Sequence, residues 1–249
     1  MHIACANLKT LDLISFNANG PIMTSNFSHA LDELSARYRA LRKSARLALL
    51  ILGAFLLLSI TAFALKPAPM TDLAEGHHSR SADLYSLWDQ GDVVILMRHV
   101  ERCDHSTNPC LAQPDGITVK GQRVADRMGQ ALHQLGLTQA DIYNSPLRRT
   151  EQTSSFVFNR AATAQDWLIN CHGSMLDNVL KHKQDHHNLI LVTHSECVSA
   201  LEKSLNVPSP VSLDYGASLI LSVNPDDHST RVLGFIDARD WAKVVARRP

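Results

Sequence analysis

The sequence predicts an α/β protein: a three-layer α/β/α sandwich around a mostly parallel sheet, preceded by one apolar helix. Three observations predict it. Two short runs, residues 93–97 (VVILM) and 189–193 (LILVT), are apolar throughout, the pattern of strands buried on both faces. Stretches with helical spacing separate them, which gives the alternation of strand and helix expected of a layered α/β domain. Residues 47–65 (LALLILGAFLLLSITAFAL) carry no charge.

The apolar helix comes first. At about 1.5 Å per residue, residues 47–65 just cross a hydrocarbon core of about 30 Å. Arg37, Arg39, Arg42, Lys43 and Arg46 precede the run and only Lys66 follows closely. That asymmetry places residues 1–46 in the cytoplasm and the rest of the chain in the periplasm, anchored in the inner membrane through residues 47–65. Ala62-Phe63-Ala64 also has the form of a signal-peptidase site, so release after Ala64 is the alternative to a retained anchor. Translation could start at Met1 or at Met23.

Residues 66–80, with Pro67, Pro69, Gly76, His77 and His78, read as a linker, and residues 81–249 as the folded domain. Ser81 is expected to cap a short helix to Trp88. Val124, Met128, Leu132 and Leu135 share one stripe of a helix over 119–135, with Gly136 just past its end. Residues 141–144 form a short strand that leads through Ser145-Pro146 into a helix over 147–158. After the strand at 189–193 a helix runs from Cys197 to Leu205, and residues 219–223 and 232–236 read as late antiparallel strands.

Composition leaves function open. Of 249 residues, 45% are hydrophobic and 19% charged, and the formal net charge is zero. No basic stripe outside the membrane-proximal segment points to nucleic acid. Cys103, Cys110, Cys171 and Cys197 follow the apolar run and Cys5 precedes it. Four thiols in an oxidising compartment suggest two disulfides with three possible connectivities, the alternative being four free thiols. The pairing expected is Cys103–Cys110, closing a short loop around Pro109, and Cys171–Cys197, tying the helix that starts at Cys197 to the connection that carries Cys171.

The chemistry lies at strand ends. Arg98-His99 ends one apolar strand and His194 the other, and in an open α/β sheet ligands bind at the carboxyl ends of the strands. Arg149 stands at a third strand-to-helix junction. A neutral imidazole is a nucleophile at pH 7 once its tautomer is fixed, and arginines suit the equatorial oxygens of a transferring phosphoryl group. The set needs no metal or other cofactor. The grouping His182, Asp185, His186 and His187 reads as a solvated helix end, not a metal site. No Cys-based phosphatase loop, D-x-D, G-x-S-x-G or Walker loop is present.

Leu96-Met97-Arg98-His99-Val100-Glu101, Ile117-Thr118-Val119-Lys120-Gly121, Ser145-Pro146-Leu147 with Arg149, Gln152 and Thr153, and Val192-Thr193-His194 resemble, in order, four signature elements of the histidine phosphatase superfamily (phosphoglycerate-mutase-like). The resemblance implies that His99 is the nucleophile, that Arg98 and Arg149 bind phosphate, and that His194 contacts the same oxygens. It assigns Arg102, four residues after Arg98, as a further phosphate-binding arginine. Within the superfamily, the stretch from Arg98 to Gly121 resembles bacterial envelope phosphatases. That implies a phosphorylated sugar or glycolipid, the lipopolysaccharide core, as substrate. Two positions depart from the pattern: Val100 stands where the family has Gly, and Ser195 where it has Gly or an acidic residue. The general acid is therefore open among Glu196, Asp177 and Glu101. A phosphoprotein phosphatase and a catalytically dead anionic-glycolipid-binding module are the competing readings.

Overall fold

The structure is a computed structural model and describes residues 32–39, 42–64, 70–75, 78–111, 114–160, 162–207 and 212–249. The expectations on Met1, Met23, Cys5, Pro67, Pro69 and Gly76 lie outside these residues. The chain divides into two units, 1–66 and 67–249.

In the first unit, α1 (Lys43–Ala64) is continuous, and among the described residues it is the one helix long and apolar enough to cross a membrane. None of its side chains is buried within the protein, so Leu47, Leu50, Phe55, Leu58 and Phe63 face outward. Ala62 and Ala64 belong to its last turn.

The second unit is a six-stranded sheet of order β3-β2-β4-β1-β5-β6, with β1 Val93–Arg98, β2 Ala140–Asn144, β3 Thr163–Ala164, β4 Asn188–Thr193, β5 Ser218–Val223 and β6 Thr230–Ile236. The β2–β3, β2–β4 and β1–β4 pairs are parallel, and β5 is antiparallel to both neighbours. Alternation along β1 splits the core. Val93, Ile95 and Met97 pack with α2 (His78–Gln90), α3 (Val119–Leu135), α4 (Arg148–Phe158) and α7 (Trp241–Val245). Val94 and Leu96 pack on the other face, with α5 (Met175–His182) and α6 (Ser195–Ser204). Three layers result, as the buried strand runs predict. Helix α3 starts at the Thr118 cap, whose hydroxyl accepts the Gly121 N–H, and ends at Gly136 with φ of 91°.

Two expectations at the start of the domain are corrected. Residues 70–75 are not free linker: Leu73 N–H donates to Phe235 O and Phe235 N–H to Thr71 O, and Leu73 and Ala74 are buried. The approach depends on Gly234, where a Cβ would stand 2.3 Å from Thr71 O. Burying Leu73 offsets the entropy cost of ordering a segment that composition marks as loop. Helix α2 begins at His78, so Ser81 lies inside it and is not its cap.

Candidate active site

Three parallel strands end side by side, and each hands its next residue to the same crevice. His99 N–H donates to Thr193 O (2.9 Å) and Ser145 N–H to Val192 O (3.0 Å), so the ladder extends past the strand ends and fixes His99, His194 and Ser145 in register. Beyond them α4 and α6 begin, and the positive ends of both helices lie at the crevice. Gly216, at φ of 80°, donates its N–H to Arg98 O and His99 O and closes the fourth side. A Cβ there would meet the Ala238 side chain at 2.8 Å.

His99 is 3% exposed. Its Nδ1 lies 2.7 Å from Val100 O, a carbonyl that can only accept, so Nδ1 carries the proton and Nε2 a lone pair. Arg149 Nε–H donates to that Nε2 at 3.2 Å. Burial pushes the His99 pKa down to about 3. The bond to Val100 O opposes the shift, and the charges of His194, Arg149 and Arg98 add to it. The ring is thus neutral at any physiological pH.

His194 faces His99, with ring centroids 5.3 Å apart. Its Nε2 is 2.8 Å from Ser145 Oγ, which also accepts Leu147 N–H at 3.4 Å. A hydroxyl that accepts there keeps its proton for donation, and where it donates to His194 Nε2 the ring proton sits on Nδ1. That Nδ1 is buried and has no partner among the described residues. Burial, and then the charge of Arg149, lowers the His194 pKa to about 4, against the attraction of Glu196.

Arg98 donates through Nη1 to Leu213 O (2.6 Å) and lies over the Tyr215 ring, 4.2 Å from its centroid, while its buried Nε has no partner. Arg102 is ion-paired with Asp104, and that hydrogen bond above all raises its pKa. Its charge still acts on both Arg149 and His194. The crevice therefore holds a nucleophilic nitrogen, a guanidinium against it, two buried donors without partners, and a further cation at the rim. A phosphate dianion supplies what each of these lacks.

The chain is similar to lipopolysaccharide core heptose(II)-phosphate phosphatases. It is 35% identical over 124 residues to the protein of that name from Escherichia coli O139:H28 (strain E24377A / ETEC), covering 49% of this chain and 62% of that one. The protein of the same name from Shigella boydii serotype 4 (strain Sb227) matches at 35% over 124 residues, 49% of this chain and 58% of its own. This chain thus spans about three fifths of the length of these curated relatives. No family model matches the chain. Solved structures that match include the protein histidine phosphatase SixA complexed with tungstate, at 14% identity and a TM-score of 0.49, over 59% of this chain and 98% of that one.

The three acid candidates separate in the structure. Glu101 is tied to the following loop: its Oε1 accepts from Ser106 Oγ and from Asn108 Nδ2 (2.6 Å), and Oε2 pairs with Lys120 (3.4 Å). Burial opposes its ionisation, but those partners prevail and hold its pKa below the ordinary value. Both its oxygens are thus occupied by partners that hold the loop. Asp177 is exposed in the first turn of α5, and no contact joins it to the crevice among the described residues. The carboxylates whose charges act on Arg149 are Asp104, Glu196 and Asp115. Glu196, exposed at the start of α6, also acts on His194. Its pKa is lowered, by its own backbone N–H first and then by Ser195, His194 and Arg98 against burial.

Cys103 is bonded to Cys110, with Cα atoms 5.3 Å apart, and Cys171 to Cys197, at 5.4 Å. The first closes the loop that carries Arg102 and Asp104. The second joins α6, next to Glu196, to the segment before α5. Sequence reasoning missed two contributors. Ser145 carried a signal, being part of a quoted motif, but its bond to His194 did not. Tyr215, 5.6 Å from His99 by ring centroids, arrives on a distant loop with no motif to mark it.

Proposed function

We propose that this chain is a metal-independent phosphomonoesterase of the histidine phosphatase kind, with its α/β domain in the periplasm and α1 in the inner membrane. Its substrate is the phosphate on a heptose of the lipopolysaccharide core. The observation that carries the reading is the fixed Nε2 lone pair of the buried His99, held against Arg149.

In the first half-reaction the phosphate dianion draws Arg149 off Nε2, and that lone pair attacks phosphorus in line with the sugar oxygen. The P–O bond breaks, and Glu196 protonates the leaving alkoxide. Glu196 is ionised in the empty site; the bound dianion, a like charge beside it, raises its proton affinity, and it takes from solvent the proton that it then gives to the alkoxide. Arg98 Nε and His194 Nδ1 donate to the equatorial oxygens. In the second half-reaction Glu196 takes a proton from water, whose oxygen attacks phosphorus. The P–N bond breaks, giving inorganic phosphate and neutral His99.

The basic flank Arg37–Arg46 ahead of an uncharged membrane-length helix supports this location, and the two disulfides fit an oxidising compartment. The similarity to the heptose phosphatases supports this substrate, as does an anchor that would raise the effective concentration of the site near glycolipid. Mass spectrometry of lipopolysaccharide from cells overproducing the chain tests it. One phosphate fewer on the core, with the lipid A phosphates intact and no change for His99→Ala, is the expected result. Unchanged core phosphorylation in cells whose extracts hydrolyse aryl phosphate would refute the substrate and leave the phosphatase.

A further inference from the structure

The crevice described above gathers groups for a phosphate, and the rest of a substrate must extend beyond it. A cleft of about 800 Å³ adjoins it along α6, lined by His172, Gly173, Ser195, Glu196, Ser199, Lys203 and neighbouring residues. That volume falls within the range of built ligand pockets. Glu196 lies at the join, since it lines the cleft and its charge acts on His194 and Arg149 in the crevice.

The helix is two-sided. Cys197, Val198 and Leu201 are buried in the core, while Ser195, Ser199 and Lys203 recur every four residues on the opposite face, with Glu196, Ala200 and Ser204 in the adjoining row. The lined face is about 14 Å long at the helical rise per residue, longer than one sugar ring. A second recess, of about 540 Å³, shares Ser199 and Lys203 and continues to Asn206 and Val207.

The lining chemistry is selective. Serine and charged residues make up most of the lining and Ala200 is the one aliphatic residue of the larger cleft, while much of the surface these residues present is carbon, which suits the C–H face of a sugar ring. Ser204 spends its proton on Ala200 O (3.0 Å), so its oxygen is left as an acceptor, and Ser195 Oγ is shared with Glu196 (3.2 Å). The Lys203 residue is exposed, and its ammonium makes no hydrogen bond or ion pair among the described residues. The wall opposite the helix is preset: His172 and Gly173 follow Cys171, which the Cys171–Cys197 bond fastens to α6, both sulfurs being buried. A preset wall reduces the ordering cost of binding.

We propose that this cleft binds the saccharide body of the substrate, a polyhydroxylated anionic chain, with Lys203 as its cationic contact and the serine row as its hydroxyl contacts. This rests on the phosphorylated glycan read above as substrate, and adds where the glycan lies and which residues discriminate it.

The test uses the full chain in detergent, with Lys203→Glu and, as a steric probe, Ser199→Trp. The binding probe is lipopolysaccharide core oligosaccharide stripped of phosphate but keeping its acidic-sugar carboxylates, so that the phosphate crevice contributes nothing while Lys203 keeps an anionic partner. Calorimetry should show binding by the native chain and affinity about tenfold weaker, or worse, in both variants, as expected for loss of a partly screened charge contact or filling of the cleft. Turnover of an aryl phosphate, and its inhibition by inorganic phosphate, should stay within about twofold of the native values, since neither residue touches the crevice. Equal affinity in all three proteins, or no binding by the native chain, would overturn the cleft assignment. Absence of aryl phosphate turnover in the native chain would instead sink the phosphatase reading, so the two failures are distinguishable.

Discussion

Ser145→Ala isolates the device that aims the second histidine. Ser145 is fully buried, and its hydroxyl sits between Leu147 N–H and His194 Nε2. Removing one oxygen leaves little cavity, and the backbone bond from Ser145 N to Val192 O is untouched, so the fold should survive. What is lost is the donor to Nε2. In the variant, the tautomer with its proton on Nδ1 leaves Nε2 buried and unpaired, at a cost of about 1–3 kcal/mol. The other tautomer turns a lone pair towards the phosphate oxygens. Either way the transition state loses that amount, roughly 5- to 150-fold in kcat. Steady-state kinetics on an aryl phosphate checks this, with a thermal melt within a few degrees of the native chain as the control for folding. Ser145→Thr, which keeps the hydroxyl, should recover most of the rate. Native kcat in Ser145→Ala with an unchanged melt would refute the reasoning, because His194 would then need no partner.

The other expectations concern the nucleophile, the charges and pH. His99→Ala should abolish turnover, and rapid trapping of the native chain should place phosphate on Nε2 of His99 and nowhere else. Arg149→Ala should lower kcat on the order of 10²- to 10³-fold, the worth of one preorganised charge in a dry site, and native activity should persist in EDTA. Acid should destabilise the domain. The unfolded chain takes up protons on both histidines as pH falls through 6.5, whereas folded His194 and His99 do so only near about 4 and about 3. Stability is therefore lost from pH 6.5 downward, by up to about 1.4 kcal/mol per pH unit for each ring. Denaturant melts at pH 7 and pH 5 should show this slope, and it should flatten in His99→Gln/His194→Gln; an equal slope in the two proteins would count against the buried neutral rings. A reporter active only outside the inner membrane should work when fused after Arg80 and fail when fused before Leu47.

What the sequence made legible was what burial writes into it. β1 and β4 are covered on both faces, so their residues are apolar without interruption, and the change to Arg98-His99 and to His194 marks where each leaves the core for the crevice. β3, two exposed residues, buries nothing and left no trace. The 70–75 segment was hidden for a related reason: only Leu73 and Ala74 are fully buried there, too few to set a period. The choice among carboxylates was of a different kind. Glu101 and Glu196 each follow a site histidine by two residues, so spacing alone gives them equal claims. The difference lies in partners 5, 7 and 19 positions further along the chain: Ser106, Asn108 and Lys120 converge on Glu101 and occupy both its oxygens. Glu196 has one weak side-chain partner, Ser195 at 3.2 Å, and stands where the crevice meets the cleft. A general acid must exchange its proton with a leaving group, and a carboxylate that already holds three donors would have to give them up first. Glu196→Gln should therefore slow a sugar phosphate, whose alkoxide needs a proton, by about 10²- to 10⁴-fold and leave an aryl phosphate, whose phenolate does not, within a few-fold of the native rate. Equal losses on the two substrates would mean that Glu196 positions the phosphate and that the proton comes from elsewhere.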